Sequence, residues 1–168
     1  PVLCDEIYHL IAREFGYPFT PSQAQAAILL SRFVTTPFAH AACILRGYAG
    51  TGKTTLVAAL VRVMRLLERP VVLLAPTGRA AKVLSVNAGM PAFTIHRKIY
   101  RQKTFEGDFN LNDNLHTDTL FVADEASMIA NEGLTQSVFG SGRLLDDLVQ
   151  FVYSGRNCRL VLIGDKAQ

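Results

Sequence analysis

The stretch Gly47-Tyr48-Ala49-Gly50-Thr51-Gly52-Lys53-Thr54-Thr55 decides the fold. Through Thr54 it fits the pattern G-x-x-x-x-G-K-[ST], whose glycines let backbone N–H groups turn inward and cradle an anion. Its context fits as well. Residues 43–45 upstream read as a short strand, and residues 54–69 downstream read as a helix stopped by Pro70. A helix N-terminus adds partial positive charge to the cradle. Gly47, Gly50, Thr51, Gly52, Lys53, Thr54 and Thr55 are thus the candidate nucleotide-binding residues. Lys53 is expected on the β and γ phosphates and the Thr54 hydroxyl on Mg²⁺, which makes ATP and Mg²⁺ the expected cofactors.

Outward from the loop, short apolar runs alternate with helical patterns. Residues 71–75, 119–123 and 160–163 are almost wholly apolar, as strands buried on both faces are. Leu3, Ile7, Leu10, Ile11 and Phe15 recur at helical spacing, and Gly16 can end that helix. Thr20 precedes Pro21 as an N-cap precedes a first helical residue, and Thr77 can cap a helix closed near Gly89. A further helix is expected over 143–153. This alternation predicts an α/β fold, a parallel sheet with helices on both faces. Residues 101–118 break the rhythm and suit a small hairpin or a loop.

The run 119–123 ends in Asp124-Glu125. Two carboxylates at the end of a buried strand, downstream of a phosphate loop, complete a P-loop NTPase site. Asp124 is expected to hold the metal's water shell. Glu125 is expected to polarise the attacking water, which favours hydrolysis over phosphoryl transfer to a small molecule.

The 168 residues are 49% hydrophobic and only 18% charged, which excludes a disordered chain. No apolar run approaches the ~20 residues of a membrane-spanning helix, and no signal peptide is visible at the start. Three scattered cysteines suggest neither zinc nor a disulfide framework, and a cytoplasmic setting is expected. Net charge is +3, but residues 69–105 hold seven Lys/Arg and no Asp or Glu. Such a stretch fits a polyanionic partner, or else a solvated face whose counter-charges come from elsewhere in the fold.

The ordered set Phe19-Thr-Pro-Ser-Gln23, the phosphate loop, Ala75-Pro-Thr-Gly-Arg-Ala-Ala81, Thr94-Ile-His96, Asp124-Glu-Ala-Ser-Met128 and Gly164-Asp-Lys-Ala-Gln168 resembles the first RecA-like domain of superfamily 1B DNA helicases, the RecD/Pif1-like group. The resemblance covers residues 19–168 and leaves 1–18 as an N-terminal helical extension. It implies that Gln23 reads adenine, although Thr20-Pro-Ser-Gln23 is equally a capping box. It implies that Pro76, Thr77, Gly78, Arg79 and His96 grip single-stranded DNA, although Thr77 also suits a plain helix cap. By the same resemblance Gln168, beside Asp165, senses the γ-phosphate. Phe93 suits stacking on a base, but an interior position is expected of it.

The resemblance further implies an ATP-dependent 5′→3′ DNA helicase of recombination and repair. The family's second RecA-like domain, with its arginine finger, is not within these residues, so the natural protein is expected to continue beyond Gln168. Without that finger, worth about 10³–10⁵ in rate in related NTPases, the fragment is expected to hydrolyse slowly and not to unwind. Two alternatives stand beside this reading. One is a P-loop switch or clamp that binds nucleic acid without translocating. The other is a kinase, against which Glu125 and Gly-Asp-x-x-Gln count.

Overall fold

Five strands form one sheet in the order β1-β7-β6-β2-β3, every pair parallel. They are β1 (Ala42–Gly47), β2 (Val71–Ala75), β3 (Ala92–Thr94), β6 (Leu120–Ala123) and β7 (Arg159–Asp165). Two further strands, β4 (Tyr100–Gln102) and β5 (Phe109–Leu111), pair antiparallel as a separate hairpin, within the stretch where the sequence allowed one. This computed structural model describes residues 2–36, 42–47, 52–102, 109–126, 129 and 143–165.

The apolar strands follow from burial on both faces. Leu45, Leu73, Val122, Val161 and Ile163 pack on one side with α1 (Val2–Phe15), α3 (Lys53–Leu66) and α4 (Gly78–Ala88). Leu74, Phe121, Leu160 and Leu162 face the other side, with α5 (Ile95–Ile99) and α6 (Leu144–Tyr153). The edge strands are exceptions: in β1 Cys43 and Leu45 are buried while Ala42, Ile44 and Arg46 are exposed, and in β3 Phe93 is exposed between half-buried Ala92 and Thr94. Ile7, Ile11 and Phe15 of α1 lie in the first of these cores, and Arg62 of α3 donates to the Glu14 carbonyl at 3.0 Å. Residues 1–18 therefore hold an integral helix of this core.

Local chemistry sets the helix ends. Thr20 caps α2 (Pro21–Thr35) in a full capping box with Gln23. Thr77 caps α4, and Gly89, at φ +72°, closes it in the left-handed region that glycine adopts without strain. Helix α3 stops at Leu66 rather than at residue 69, and Glu68 turns to φ +57° before β2. Strand β3 and helix α5 were not anticipated. They have three and five residues, too short for periodicity to register.

Candidate nucleotide-binding and single-strand site

Parallel strands deliver their carboxyl ends to one edge, where ligands bind in such sheets. Strand β1 ends at Gly47, which is level with Asp165 at the end of β7. Strand β2 ends at Ala75, level with Thr94 at the end of β3. Strand β6 runs into Asp124, whose N–H donates to the Leu74 carbonyl at 2.9 Å. The phosphate loop, the two carboxylates and the segments that begin at Pro76 and Ile95 therefore leave the sheet on the same edge.

A cavity of about 310 Å³ opens there. It is lined by Gly52, Lys53, Thr54 and Thr55 at the start of α3, by Asp124 and Glu125 after β6, and by Ile163 and Gly164 of β7. Val83 and Asn87 of α4 line it as well. Sequence reasoning missed these two; their one visible signal is the four-residue spacing that puts them on one helix face. Lys53, Thr54 and Asp124 are half-buried and Glu125 is exposed. Gly50, Thr51 and Gln168 lie outside the described residues.

Gly52 stands at φ +81°, and a Cβ there would meet Gln23 Nε2 at 2.7 Å. Conformation asks for glycine here, and a Cβ would in addition push the end of the Gln23 side chain aside. It follows that the Gln23 amide lies over the N-terminus of α3. Gln23 Oε1 accepts from the Thr20 N–H at 3.0 Å, and Thr20 Oγ1 accepts from the Gln23 N–H at 3.2 Å. The capping reading of Gln23 is realised.

Asp124 Oδ1 accepts from the Glu125 N–H at 2.8 Å. Glu125 sits at φ +53°, left-handed backbone that a residue with a Cβ adopts only at a cost. Both residues line the one cavity. A one-metal phosphate site asks for this donor set, because Mg²⁺ takes one or two carboxylates and keeps water and phosphate as its other ligands. Asp124 and the Thr54 hydroxyl fit it.

After β2 and β3, Thr77 Oγ1 accepts from the Ala80 N–H at 3.1 Å, and Thr94 Oγ1 accepts from the Arg97 N–H at 3.2 Å. Both threonines cap their helices, yet each hydroxyl keeps its own proton to donate. Pro76 is half-buried, and Gly78 and Arg79 are exposed. His96 is half-buried with its ring 5.7 Å from that of Tyr100. Burial pushes the His96 imidazole below its ordinary range, so at pH 7 it is a neutral hydrogen-bonding group rather than a cation. Phe93 is 41% exposed, contrary to the interior position expected of it. Arg101 meets Asp113 at 3.9 Å, so part of the basic run has its counter-charge elsewhere in the fold.

No helix among the described residues is long and apolar enough to cross a membrane. The family description AAA domain (AAA_30) matches residues 20–168. An uncharacterized protein of Methanocaldococcus jannaschii is 35% identical over 136 residues, 72% of this chain and 11% of that protein. The multifunctional conjugation protein TraI of Escherichia coli is 33% identical over 133 residues, 70% of this chain and 7% of that protein. The chain thus spans about a tenth, or less, of the length of these relatives. Among solved structures, the Pif1 helicase from Candida albicans superposes with a TM-score of 0.51 over 89% of this chain and 33% of that one, at 17% identity, a likeness of fold. The chain belongs to the AAA_30 family of AAA domains, and its parallel α/β P-loop fold is like that of the Pif1 helicase structure.

Proposed function

We propose that this domain is the ATP-binding motor unit of an ATP-dependent 5′→3′ DNA helicase of recombination and repair, coupling ATP hydrolysis to movement along single-stranded DNA. The observation that carries the reading is the shared cavity, in which Lys53 and Thr54 of α3 meet Asp124 and Glu125 from the end of β6. Lys53 and the start of α3 hold the triphosphate, and Gln23, lying over Gly52, is placed beside the same helix start for the adenine edge. Thr54 and Asp124 hold Mg²⁺, which when bound neutralises charge on the β and γ phosphates. Glu125 orients the attacking water and accepts its proton.

Pro76, Thr77, Gly78, Arg79 and His96 contact the phosphate backbone of the strand from the same edge. Such contacts carry no base information, so binding is sequence-independent and salt-sensitive. Asp165 and Gln168 report the γ-phosphate. A second RecA-like domain completes the motor. Polarity and the DNA pathway rest on the resemblance of the motifs to superfamily 1B helicases.

The test is Lys53→Ala, read by equilibrium binding of a fluorescent ATP analogue and by ATPase assay with and without single-stranded oligonucleotide. Losing a charge-assisted contact should weaken nucleotide binding by at least about tenfold. Unchanged affinity and turnover would remove the site assignment.

A further inference from the structure

Among the described residues, Asp147 is the one charged side chain that is buried, at 3% exposure. A buried carboxylate needs partners to offset its lost hydration. Tyr100 supplies one: its hydroxyl donates to Asp147 Oδ2 at 2.6 Å, across 47 positions of sequence. Asp147 also lies in the first turn of α6, where the helix dipole favours negative charge. The Tyr100 hydroxyl is held well above the usual phenol range by burial first, and then by the bond to Asp147 and its charge. It is a committed donor.

The bond joins two elements with different duties. Tyr100 is the C-cap residue of α5, and its ring lies against His96 on that helix. Helix α5 has five residues, too few to hold a geometry of its own. Strands β3 and β4 hold its two ends, and Ile95 and Ile99 bury it beside Leu148 and Phe151 of α6 through apolar contact, which is non-directional. The Tyr100–Asp147 hydrogen bond adds a directional tie between α5 and α6. On its other flank α6 is tied to β7, because Tyr153 Oη accepts from the Leu160 N–H at 3.3 Å. Strand β7 ends at Asp165, beside the nucleotide cavity.

We infer that Asp147 is a positioning residue: through Tyr100 it sets the orientation of α5, and with it His96, relative to the strand that ends at the nucleotide cavity. This rests on the reading of His96 as a single-strand contact. Residues of this kind are retained less for stability than for fixing one arrangement among several of similar energy. Neither residue belongs to a segment that the motif reading singled out.

Three variants of the full chain test it: Tyr100→Phe, Asp147→Asn and His96→Ala. Each is read by fluorescence anisotropy of a labelled oligothymidylate, by binding of a fluorescent ATP analogue, by melting temperature and by the NMR resonances and titration of His96. Tyr100→Phe and His96→Ala should each weaken oligonucleotide binding about tenfold and leave nucleotide binding unchanged. Asp147→Asn keeps an acceptor for the Tyr100 hydroxyl and should bind within about twofold of the parent chain. In Tyr100→Phe the His96 resonances should move, and its titration should return toward the ordinary imidazole range. If His96→Ala weakens the oligonucleotide but Tyr100→Phe shifts neither affinity nor the His96 resonances, the positioning role is wrong, whatever happens to the melting temperature. If His96→Ala binds DNA like the parent, the strand-contact reading of α5 fails instead, and the His96 resonances in Tyr100→Phe alone decide whether the bond orients the helix.

Discussion

At the scale of residues, Asp124 and Glu125 are neighbours in sequence but differ in circumstance. Asp124 is half-buried, with its N–H bonded to β2 and its Oδ1 holding the Glu125 N–H. Glu125 is exposed and held at φ +53°. Glu125 lines the nucleotide cavity, and the proposed function makes it the base for the attacking water. Glu125→Gln should therefore keep Mg-ATP binding while lowering oligonucleotide-stimulated turnover by about 10²–10⁴-fold, the usual weight of a general base. Asp124→Asn should instead blunt the Mg²⁺ dependence of binding. Glu125→Gly removes the Cβ that makes the left-handed turn costly, and should gain up to about 1 kcal/mol in urea unfolding while turnover is lost. Turnover at the parent rate in Glu125→Gln would assign the base elsewhere.

Among elements, the helix starts matter most. Thr20, Thr77 and Thr94 each cap a helix through a side-chain oxygen. At Thr77 the cap and the proposed phosphate contact use different parts of one hydroxyl, so substitution can separate them. Thr77→Ala should cost about 1 kcal/mol of stability and also weaken single-strand binding. Thr77→Asp keeps a good cap and hence the melting temperature, but sets a carboxylate against the phosphate backbone. Its affinity for oligonucleotide should fall further than that of Thr77→Ala at low salt, and the extra deficit should shrink as salt is raised and screens the repulsion. Equal affinity in Thr77→Asp and the parent chain would leave Thr77 a cap and nothing more. Helix α5 also belongs to this scale. Its cap residue Thr94 was singled out as part of a strand-gripping segment, yet the helix itself went unread, because five residues carry no period.

For the molecule as a whole, stability depends on pH through groups that the sheet buries. Cys43 lies in the first core, and burial pushes its thiol up to about 11 from an ordinary 9.0. Below pH 9 the thiol is neutral in both the folded and the unfolded chain, so its preference for the folded core is fully present. Between pH 9 and 11 the unfolded chain releases the proton and the folded chain keeps it, so stability falls as pH rises through this window. The loss from this group is on the order of 2 kcal/mol. Tyr100 and Tyr153 are also raised and add loss in the same direction at higher pH. Urea midpoints at pH 8 and pH 11 measure the total. Cys43→Ala should flatten the difference between them even though it lowers both, and an unchanged difference would contradict the assignment.

The sequence by itself determined the parallel α/β fold, the helix caps at Thr20 and Thr77, and the pairing of Lys53 and Thr54 with Asp124 and Glu125. Each of these rests on local chemistry: five-residue apolar runs, capping oxygens, and glycines where the backbone must turn. It also left Gln23 open between cap and adenine contact, because both uses need the same amide three residues after Thr20. Only the tertiary structure brought the Gln23 amide over Gly52, exposed Phe93, and set Val83 and Asn87 in the wall of the cavity. It alone joined Tyr100 to Asp147. Those relations link residues far apart in the chain, and no local period or spacing encodes which of many possible partners the packing of two layers on one sheet will bring within 3 Å.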